Sequence, residues 1–316
     1  MKILVTGGAG FIGSHLIDLL LSKGNNVVAI DNLLLGKMSN IAHHLDNKNF
    51  TFYEEDLLNY KKIEEIFSKE NFEAIFHMAA NSDISNSHHN PDIDFNNTLL
   101  TTYNTLKLAK NHNIKQFIFA SSSAIYGSVE GKILESQGPL TPESHYGACK
   151  LASEGLISSF CENYKMKSWI IRFPNVIGSR STHGVIYDFV KKLNKNPHTL
   201  EVLGDGKQNK PYLYVSDLVS AINLIWEVAD DQINIFNVGN NDRITVKEIA
   251  EIVVNQSNID TKITYTGGNK GWIGDVPEFD YSLDKVYKIG WKSSLSSKDA
   301  VIKSANHIIQ EVNKLK

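Results

Sequence analysis

Met1-Lys2-Ile3-Leu4-Val5-Thr6-Gly7-Gly8-Ala9-Gly10-Phe11-Ile12-Gly13 opens the chain, and the reading of the rest turns on this stretch. Ile3–Thr6 is an apolar run of strand size, and Ile12–Leu21 follows with helical spacing of its apolar residues. Glycines at 7, 10 and 13 lie between them. Gly7 permits a tight turn, Gly10 lets the backbone come close to a pyrophosphate, and Gly13 lets the helix pack closely on the strand. Gly7, Gly10, Phe11 and Ile12 are therefore the expected phosphate cradle. A helix start offers unpaired N–H groups and the positive end of its dipole to an anion.

Working outward, Val27–Ile30 reads as a second strand that ends at Asp31. An acid there can bind the adenosine ribose hydroxyls and repel a 2′-phosphate. No arginine stands beside it, and Lys37 is the nearest cation downstream, which favours NAD over NADP. Further strands are expected at Phe50–Tyr53, Ala74–Met78, Phe117–Ser121 and Trp169–Phe173. Helices are expected between them near Lys61–Lys69, Phe95–Lys110 and Tyr146–Tyr164. This alternation predicts an α/β fold, a Rossmann-type doubly wound parallel sheet. After about residue 175 the pattern loosens into Gly- and Asn-rich loops (Leu203–Asn209, Asn237–Arg243). The helices expected there lie near Val185–Leu193, Ser216–Trp226, Val246–Asn255 and Ser297–Lys314. The expectation is a dinucleotide-binding domain over 1–175 and a smaller mixed α/β substrate lobe over 176–316. No linker marks the boundary, which is soft, and a cleft between lobes is the natural ligand site.

A formal net charge of −3 over 316 residues argues against a nucleic-acid binder. Cys149 and Cys161 are too few for a disulfide framework, which suits a reducing compartment. The glycine cluster comes too early for a signal peptide, and the apolar runs are too short and interrupted to span a membrane. A cytoplasmic enzyme without a membrane partner is expected.

Tyr146-Gly147-Ala148-Cys149-Lys150 places a tyrosine and a lysine four apart, on one face of a helix. A free tyrosine has a pKa of about 10, too high for an efficient base at neutral pH. A neighbouring ammonium and the nicotinamide's positive charge would stabilise the phenolate and lower that value. Ser121-Ser122-Ser123 ends the fifth strand, where such sheets present ligands, and a hydroxyl there could hold a substrate oxygen. Cys149 lies off the Tyr146–Lys150 face and reads as a small packed hydrophobe. His43-His44 and His88-His89 have no carboxylate or cysteine at ligand spacing, so no metal site is expected.

Taken together, these residues resemble the extended short-chain dehydrogenase/reductase family, and within it the UDP-glucose 4-epimerase-like enzymes. The resemblance covers essentially the whole chain. Its markers are Thr6–Gly13, Asp31-Asn32, Asp56-Leu57, His77-Met78-Ala79-Ala80, Ser121–Gly127, Tyr146–Lys150 and Arg172-Phe173-Pro174-Asn175-Val176. It continues through Leu203-Gly204-Asp205-Gly206, Tyr214-Val215-Ser216-Asp217 and Gly274-Asp275-Val276-Pro277. The resemblance implies NAD contacts from Asp31, Asn32, Asp56, Leu57, Ala79 and Ala80. Counted back from Tyr126-Gly127, it makes Ser122 the catalytic serine. Tyr146 would be the base, and Lys150 would bind the nicotinamide ribose. Ser122, Ser123, Asn175, the Thr182–Tyr187 segment (Val185 and Tyr187 in particular) and Lys210 would contact a nucleotide-diphosphate sugar. A homodimer through the helices near Phe95–Lys110 and Tyr146–Tyr164 is likewise implied.

The chain also departs from the family pattern. The usual Asn-x-x-Gly-Thr is here Thr98-Leu99-Leu100-Thr101-Thr102, so the packing of that helix must differ. Lys210 replaces a phosphate-binding arginine and loses its bidentate fork. Trp272 replaces a second one, with Lys270 close by. Phe279 falls where relatives gate sugar size, and its bulk favours a plain hexose over an N-acetyl sugar. The leading expectation is oxidation at carbon 4 of a nucleotide-activated hexose followed by re-reduction, a 4-epimerase. The alternative is a 4-dehydrogenase that releases the ketone and recycles NADH with a second substrate. A 4,6-dehydratase would need an acid where Ser122-Ser123-Ala124 offers none, and a non-catalytic dinucleotide sensor would typically lack Tyr146 or Lys150.

Overall fold

The computed structural model describes residues 1–84, 89–129, 131–268 and 280–313, arranged as two compact units. The first comprises Met1–Gly127, Gly138–Phe173 and Ile222–Phe236; the second comprises Ser128–Gln137, Pro174–Ala221 and the chain from Asn237 onward.

The first unit is built on strands β1 (Lys2–Thr6), β2 (Asn26–Asp31), β3 (Phe50–Glu54), β4 (Ala74–His77), β5 (Gln116–Ala120) and β6 (Lys167–Arg172). All the neighbouring pairs among these six are parallel. Their spatial order is β6-β5-β4-β1-β2-β3, and β11 (Ile233–Asn237) adds a seventh strand beside β6. The central strands β1 and β4 are apolar and non-alternating, as expected where both faces of a sheet are covered. Ile3, Leu4 and Val5 are buried, as are Ala74, Ile75 and Phe76. The doubly wound sheet expected from the sequence is the one observed. Its seventh strand was not among the expected elements.

Helix α1 (Phe11–Ser22) turns Leu16, Ile17 and Leu20 into this core. Helix α2 (Tyr60–Glu70) buries Ile63, Ile66 and Phe67 and stops at Asn71, which adopts the left-handed conformation that ends helices. The next helical stretch begins at Asp92, becomes π-helical over Phe95–Leu100, and continues as α3 (Thr101–Asn111). This is where the chain carries threonine in place of the family's asparagine and glycine. Thr101 Oγ1 donates to the Asn97 and Thr98 carbonyls, and Thr102 Oγ1 donates to the Thr98 carbonyl at 2.6 Å. Hydroxyls that bond back into the preceding turn bend a helix. Helix α4 (His145–Tyr164) starts at Ser144, whose hydroxyl accepts from the Gly147 N–H at 3.0 Å.

The second unit is mixed, with short paired strands rather than a large sheet. β7 (Asn175–Ile177) runs parallel to β10 (Tyr212–Tyr214), β8 (Thr199–Val202) parallel to β13 (Lys262–Tyr265), and β9 (Asn209–Lys210) antiparallel to β12 (Ile244–Thr245). Ile186, Phe189, Val190 and Leu193 form the buried face of the helix Val185–Lys195. Thr245 and Glu248 close a reciprocal capping box at the start of Val246–Ser257. Among the described residues, no helix is long and apolar enough to cross a membrane.

Candidate active site

The β1–α1 turn is assembled from backbone. Gly7 has φ +66° and donates its N–H to the Ile30 carbonyl at 2.8 Å. A Cβ at Gly7 would stand 2.8 Å from the backbone of Ala79, so only glycine lets the loop after β4 lie this close. Gly10 N–H donates to the Gly7 carbonyl at 3.1 Å and caps α1 with no side-chain bond. The first amides of α1, at Phe11 and Ile12, are thus left to an anion rather than to a capping side chain.

Asp31 is buried at the end of β2 and holds this turn in place. Its Oδ2 accepts from the Ala9 N–H at 3.0 Å and its Oδ1 from the Leu33 N–H at 2.8 Å. Burial raises its pKa, against the pull of the backbone bonds from Leu33, Ala9 and Gly10. Asn32 is exposed and donates Nδ2 to Asp56 Oδ2 at 3.0 Å. Leu57 is buried beside Asp56, and its carbonyl accepts from Asn104 Nδ2 at 3.1 Å. Ala79 and Ala80 are half-buried, and the Ala79 N–H donates to Thr6 Oγ1 at 3.3 Å. Thr6 Oγ1 also bonds His77 Nδ1 at 2.8 Å, and His77 Nε2 bonds Thr102 Oγ1 at 3.1 Å. Burial, together with the charge of Lys150, pushes the His77 pKa down to about 3, so this fully buried ring is a neutral relay between two hydroxyls. The cradle that a Cβ would fill, the open helix start and the acid after β2 together fit a dinucleotide.

The β5–α4 region is assembled from side chains. The three serines after β5 divide their tasks. Ser121 Oγ donates to Glu154 Oε1 at 2.5 Å, and the Ser123 N–H bonds the Phe173 carbonyl at 3.0 Å. Ser122 is the one hydrogen-bonded through its side chain to Tyr146. The approach of α4 depends on Gly147, where a Cβ would meet the Ala124 carbonyl oxygen at 2.4 Å. Lys150 is buried and donates Nζ to the Ala120 carbonyl at 2.6 Å, with Nζ 5.7 Å from the Tyr146 ring centre.

Among the protein's own groups, the balance at the Tyr146 hydroxyl runs upward rather than downward. Desolvation pushes its pKa up to about 12, the Ser122 hydrogen bond opposes the rise, and the charge of Asp94 adds to it. Lys150 moves the other way: burial lowers its pKa to about 7, while Glu154 and Asp94 pull it back up.

Several supporting residues were not foreseen. Glu154, one helical turn beyond Lys150, is gripped by Arg172 through Nε at 3.1 Å and Nη2 at 2.6 Å, while Arg172 Nη1 donates to the Tyr126 hydroxyl at 2.9 Å. Burial works against the Arg172 charge, yet Glu154 and Tyr126 together outweigh it and raise its pKa. Asp94 is fully buried; its Oδ1 accepts from Asn81 Nδ2 at 2.8 Å, and its Oδ2 has no hydrogen-bond partner. Asn81 N–H in turn donates to Thr98 Oγ1 at 3.1 Å. The i+4 spacing of Lys150 and Glu154 was a readable signal, whereas nothing local marked Asp94.

In the second unit, Asn175 opens β7 exposed and in register with Tyr212, two residues beyond Lys210. Lys210 pairs with Ile244 across β9 and β12. Val185 begins its helix just after Gly184, and Tyr187 lies one turn before Lys191, whose Nζ is 5.3 Å from the ring centre. Phe279, Lys270, Trp272 and Gly274–Pro277 lie outside the described residues, as does His88. The expectation that no carboxylate joins the histidine pairs is overturned for His43-His44. Asp18 Oδ1 lies 2.9 Å from His43 Nε2 and 2.7 Å from His44 Nε2. A separation of about 25 residues hid a contact that α1 creates in space.

A dinucleotide cradle on a parallel sheet, with a Ser–Tyr–Lys arrangement at the end of β5, defines a nicotinamide-dependent enzyme. The model of the NAD dependent epimerase/dehydratase family matches residues 3–239, and the chain belongs to that family. It is 31% identical to a putative UDP-glucose 4-epimerase of Methanocaldococcus jannaschii, over 96% of this chain and 97% of that one. A solved UDP-galactose 4-epimerase is 35% identical with a TM-score of 0.88, covering 99% of this chain and 100% of that one. The UDP-glucose 4-epimerase of Thermotoga maritima, solved with UDP-glucose, is 30% identical with a TM-score of 0.88 and the same coverage. The protein is an NAD-dependent enzyme.

Proposed function

We propose that the chain is a nucleotide-sugar 4-epimerase that retains its NAD through turnover. The observation that carries this reading is the hydrogen bond between Tyr146 and Ser122 at the carboxyl end of β5, one helical turn from Lys150. NAD, when bound, supplies the two-electron acceptor that oxidises carbon 4 and returns the hydrogen to the opposite face. Tyr146 takes the proton of the 4-hydroxyl during oxidation and gives it back during reduction. Ser122 holds that same oxygen, and Ser123 lies beside it as a further substrate contact. Lys150, fixed on the Ala120 carbonyl, places an ammonium next to the tyrosine and favours the phenolate once the sugar arrives. Asn175, Val185, Tyr187 and Lys210 contribute the nucleotide-diphosphate contacts, with Lys210 acting as a point charge where a guanidinium would fork. No carboxylic acid follows Ser122, so elimination of water has no general acid there. The UDP-sugar epimerases among the relatives support a diphosphate-linked hexose as substrate.

The test mixes purified protein, with no added cofactor, with UDP-, GDP- and dTDP-hexoses, and follows product NMR and nicotinamide absorbance together. Catalytic appearance of an epimer with little accumulated NADH is the expected result. Stoichiometric NADH with no epimer would overturn it in favour of a 4-dehydrogenase.

A further inference from the structure

Away from the proposed nicotinamide chemistry, a cluster of metal-ligating side chains joins α1 to the segment after β2. Asp18 lies in the third turn of α1, and His43 and His44 sit on the 3₁₀ turn Ala42–His44. Both imidazole Nε2 atoms converge on the same carboxylate oxygen, at 2.9 and 2.7 Å, with the ring centres 4.0 Å apart. All three ligand atoms lie within 4.8 Å of one another. His44 is further held by Phe50, its ring centre 5.8 Å away.

We propose that Asp18, His43 and His44 bind a first-row divalent cation of the zinc type, which staples the segment after β2 to α1. Two imidazoles and one carboxylate are the donors such ions take, with water completing the shell. Metal–ligand bonds of about 2.0–2.2 Å at tetrahedral angles separate neighbouring ligand atoms by about 3.3 Å. The two histidine–carboxylate separations, 2.9 and 2.7 Å, therefore need to open by about 0.4–0.6 Å. Solvent reaches the cluster, because the His43 side chain is 46% exposed.

The site has a consequence for the cofactor end of the molecule. The segment that carries the histidines also packs on the glycine turn. Lys37 N–H and Asn40 Nδ2 both donate to the Ala9 carbonyl, at 3.0 and 2.9 Å, and a Cβ at Gly36 would come within 2.8 Å of the Asp31 carboxylate. A cation that fixes this segment on α1 restrains the loop that holds Asp31 and the turn. It stabilises the native state in proportion to the logarithm of metal concentration above its dissociation constant.

The experiment strips the full-length, NAD-loaded protein with a chelator, then titrates it with Co²⁺ and separately with Zn²⁺ at pH 7.5. Visible cobalt absorption, calorimetry and thermal unfolding are the readouts. One saturable equivalent, with a melting temperature that climbs with metal, is expected. Loss of an outer-shell partner already costs metal sites about 10–100-fold. Asp18→Asn and His44→Ala should therefore each weaken binding at least about tenfold. His43→Gln, at an exposed position that folding tolerates, should do the same while leaving the metal-free melting temperature unchanged. Absence of saturable binding, or binding that survives all three substitutions, would overturn the proposal and leave a hydrogen-bonded cluster only.

Discussion

At the carboxyl end of β1 the proposed cofactor cradle is main chain: Gly7 bonds the Ile30 carbonyl, Gly10 bonds the Gly7 carbonyl, and α1 begins without a side-chain cap. At the carboxyl end of β5, the proposed reacting groups are side chains, with Tyr146 half-buried and Ser122 and Lys150 buried. Ser122 bonds Tyr146, Lys150 leans on the Ala120 carbonyl, and Glu154 and Arg172 brace the rear with Asp94 alongside. A site made of amides tolerates side-chain change wherever no Cβ is added, whereas a site made of buried charges depends on every partner it has. Substitutions at the two ends should therefore differ in kind as well as in size.

The largest effect belongs to Tyr146→Phe. Removing a positioned proton-transfer group costs about 10²–10⁴-fold in turnover, and kcat measured on the nucleotide sugar should fall by that much. NAD binding, followed by calorimetry, should be nearly unchanged because the cradle is elsewhere. Near-normal turnover would show that the proton goes to another group. Next in size is Glu154→Gln, which strips the counter-charge from Arg172 in a pair whose side chains are only 7% and 5% exposed. Breaking a buried pair from one side costs about 3–5 kcal/mol, and urea unfolding should report it as a lower midpoint. Gly7→Ala follows. The left-handed conformation costs a non-glycine residue about 1–2 kcal/mol, and the added carbon meets the Ala79 backbone at 2.8 Å. NAD affinity should drop about tenfold or more, with little change in the chemistry of NAD-saturated enzyme.

The same contrast explains how far the sequence could be read. Thr6–Gly13 and Asp31 come together through spacing along one strand–turn–helix and the strand beside it, so their placement is written locally. Tyr146 and Lys150 are also legible, because one helix face carries both. Asp94 belongs to the site through a hydrogen bond to Asn81 and through the packing of a π-helical turn, neither of which has a local signature. Asp18 reaches His43 and His44 only once α1 lies across the segment after β2. Ile233–Asn237 joins the sheet at its edge, with asparagines at 234 and 237 that blur the apolar pattern of a strand. Asn234 donates its side-chain amide to the carbonyls of Asp231, which is local, and Ser168, which only the finished sheet brings near.

Asp94→Asn tests whether the rear layer tunes the chemistry or merely packs. The Asp94 carboxylate raises the pKa of Tyr146 and also that of Lys150. Neutralising it removes a negative charge from both, which eases formation of the phenolate and loss of the ammonium proton alike. Both limbs of the kcat/KM profile should move to lower pH together. An unshifted profile with a lowered melting temperature would assign Asp94 a structural role alone.

The smallest effect is expected from Asn32→Ala at the main-chain end. Asn32 is exposed, and its side chain makes two bonds, to Asp56 Oδ2 at 3.0 Å and from the Leu34 N–H at 3.1 Å. Water replaces exposed partners readily, so the loss should stay under about 1 kcal/mol. That corresponds to less than about a fivefold fall in NAD affinity by calorimetry. The acid of the pair, Asp56, keeps its own bond from the Leu58 N–H at 2.8 Å and so stays oriented when Asn32 is gone. A hundredfold loss instead would mean that the cofactor end also relies on side-chain partners, and the division between a main-chain end and a side-chain end would fail at its weakest point.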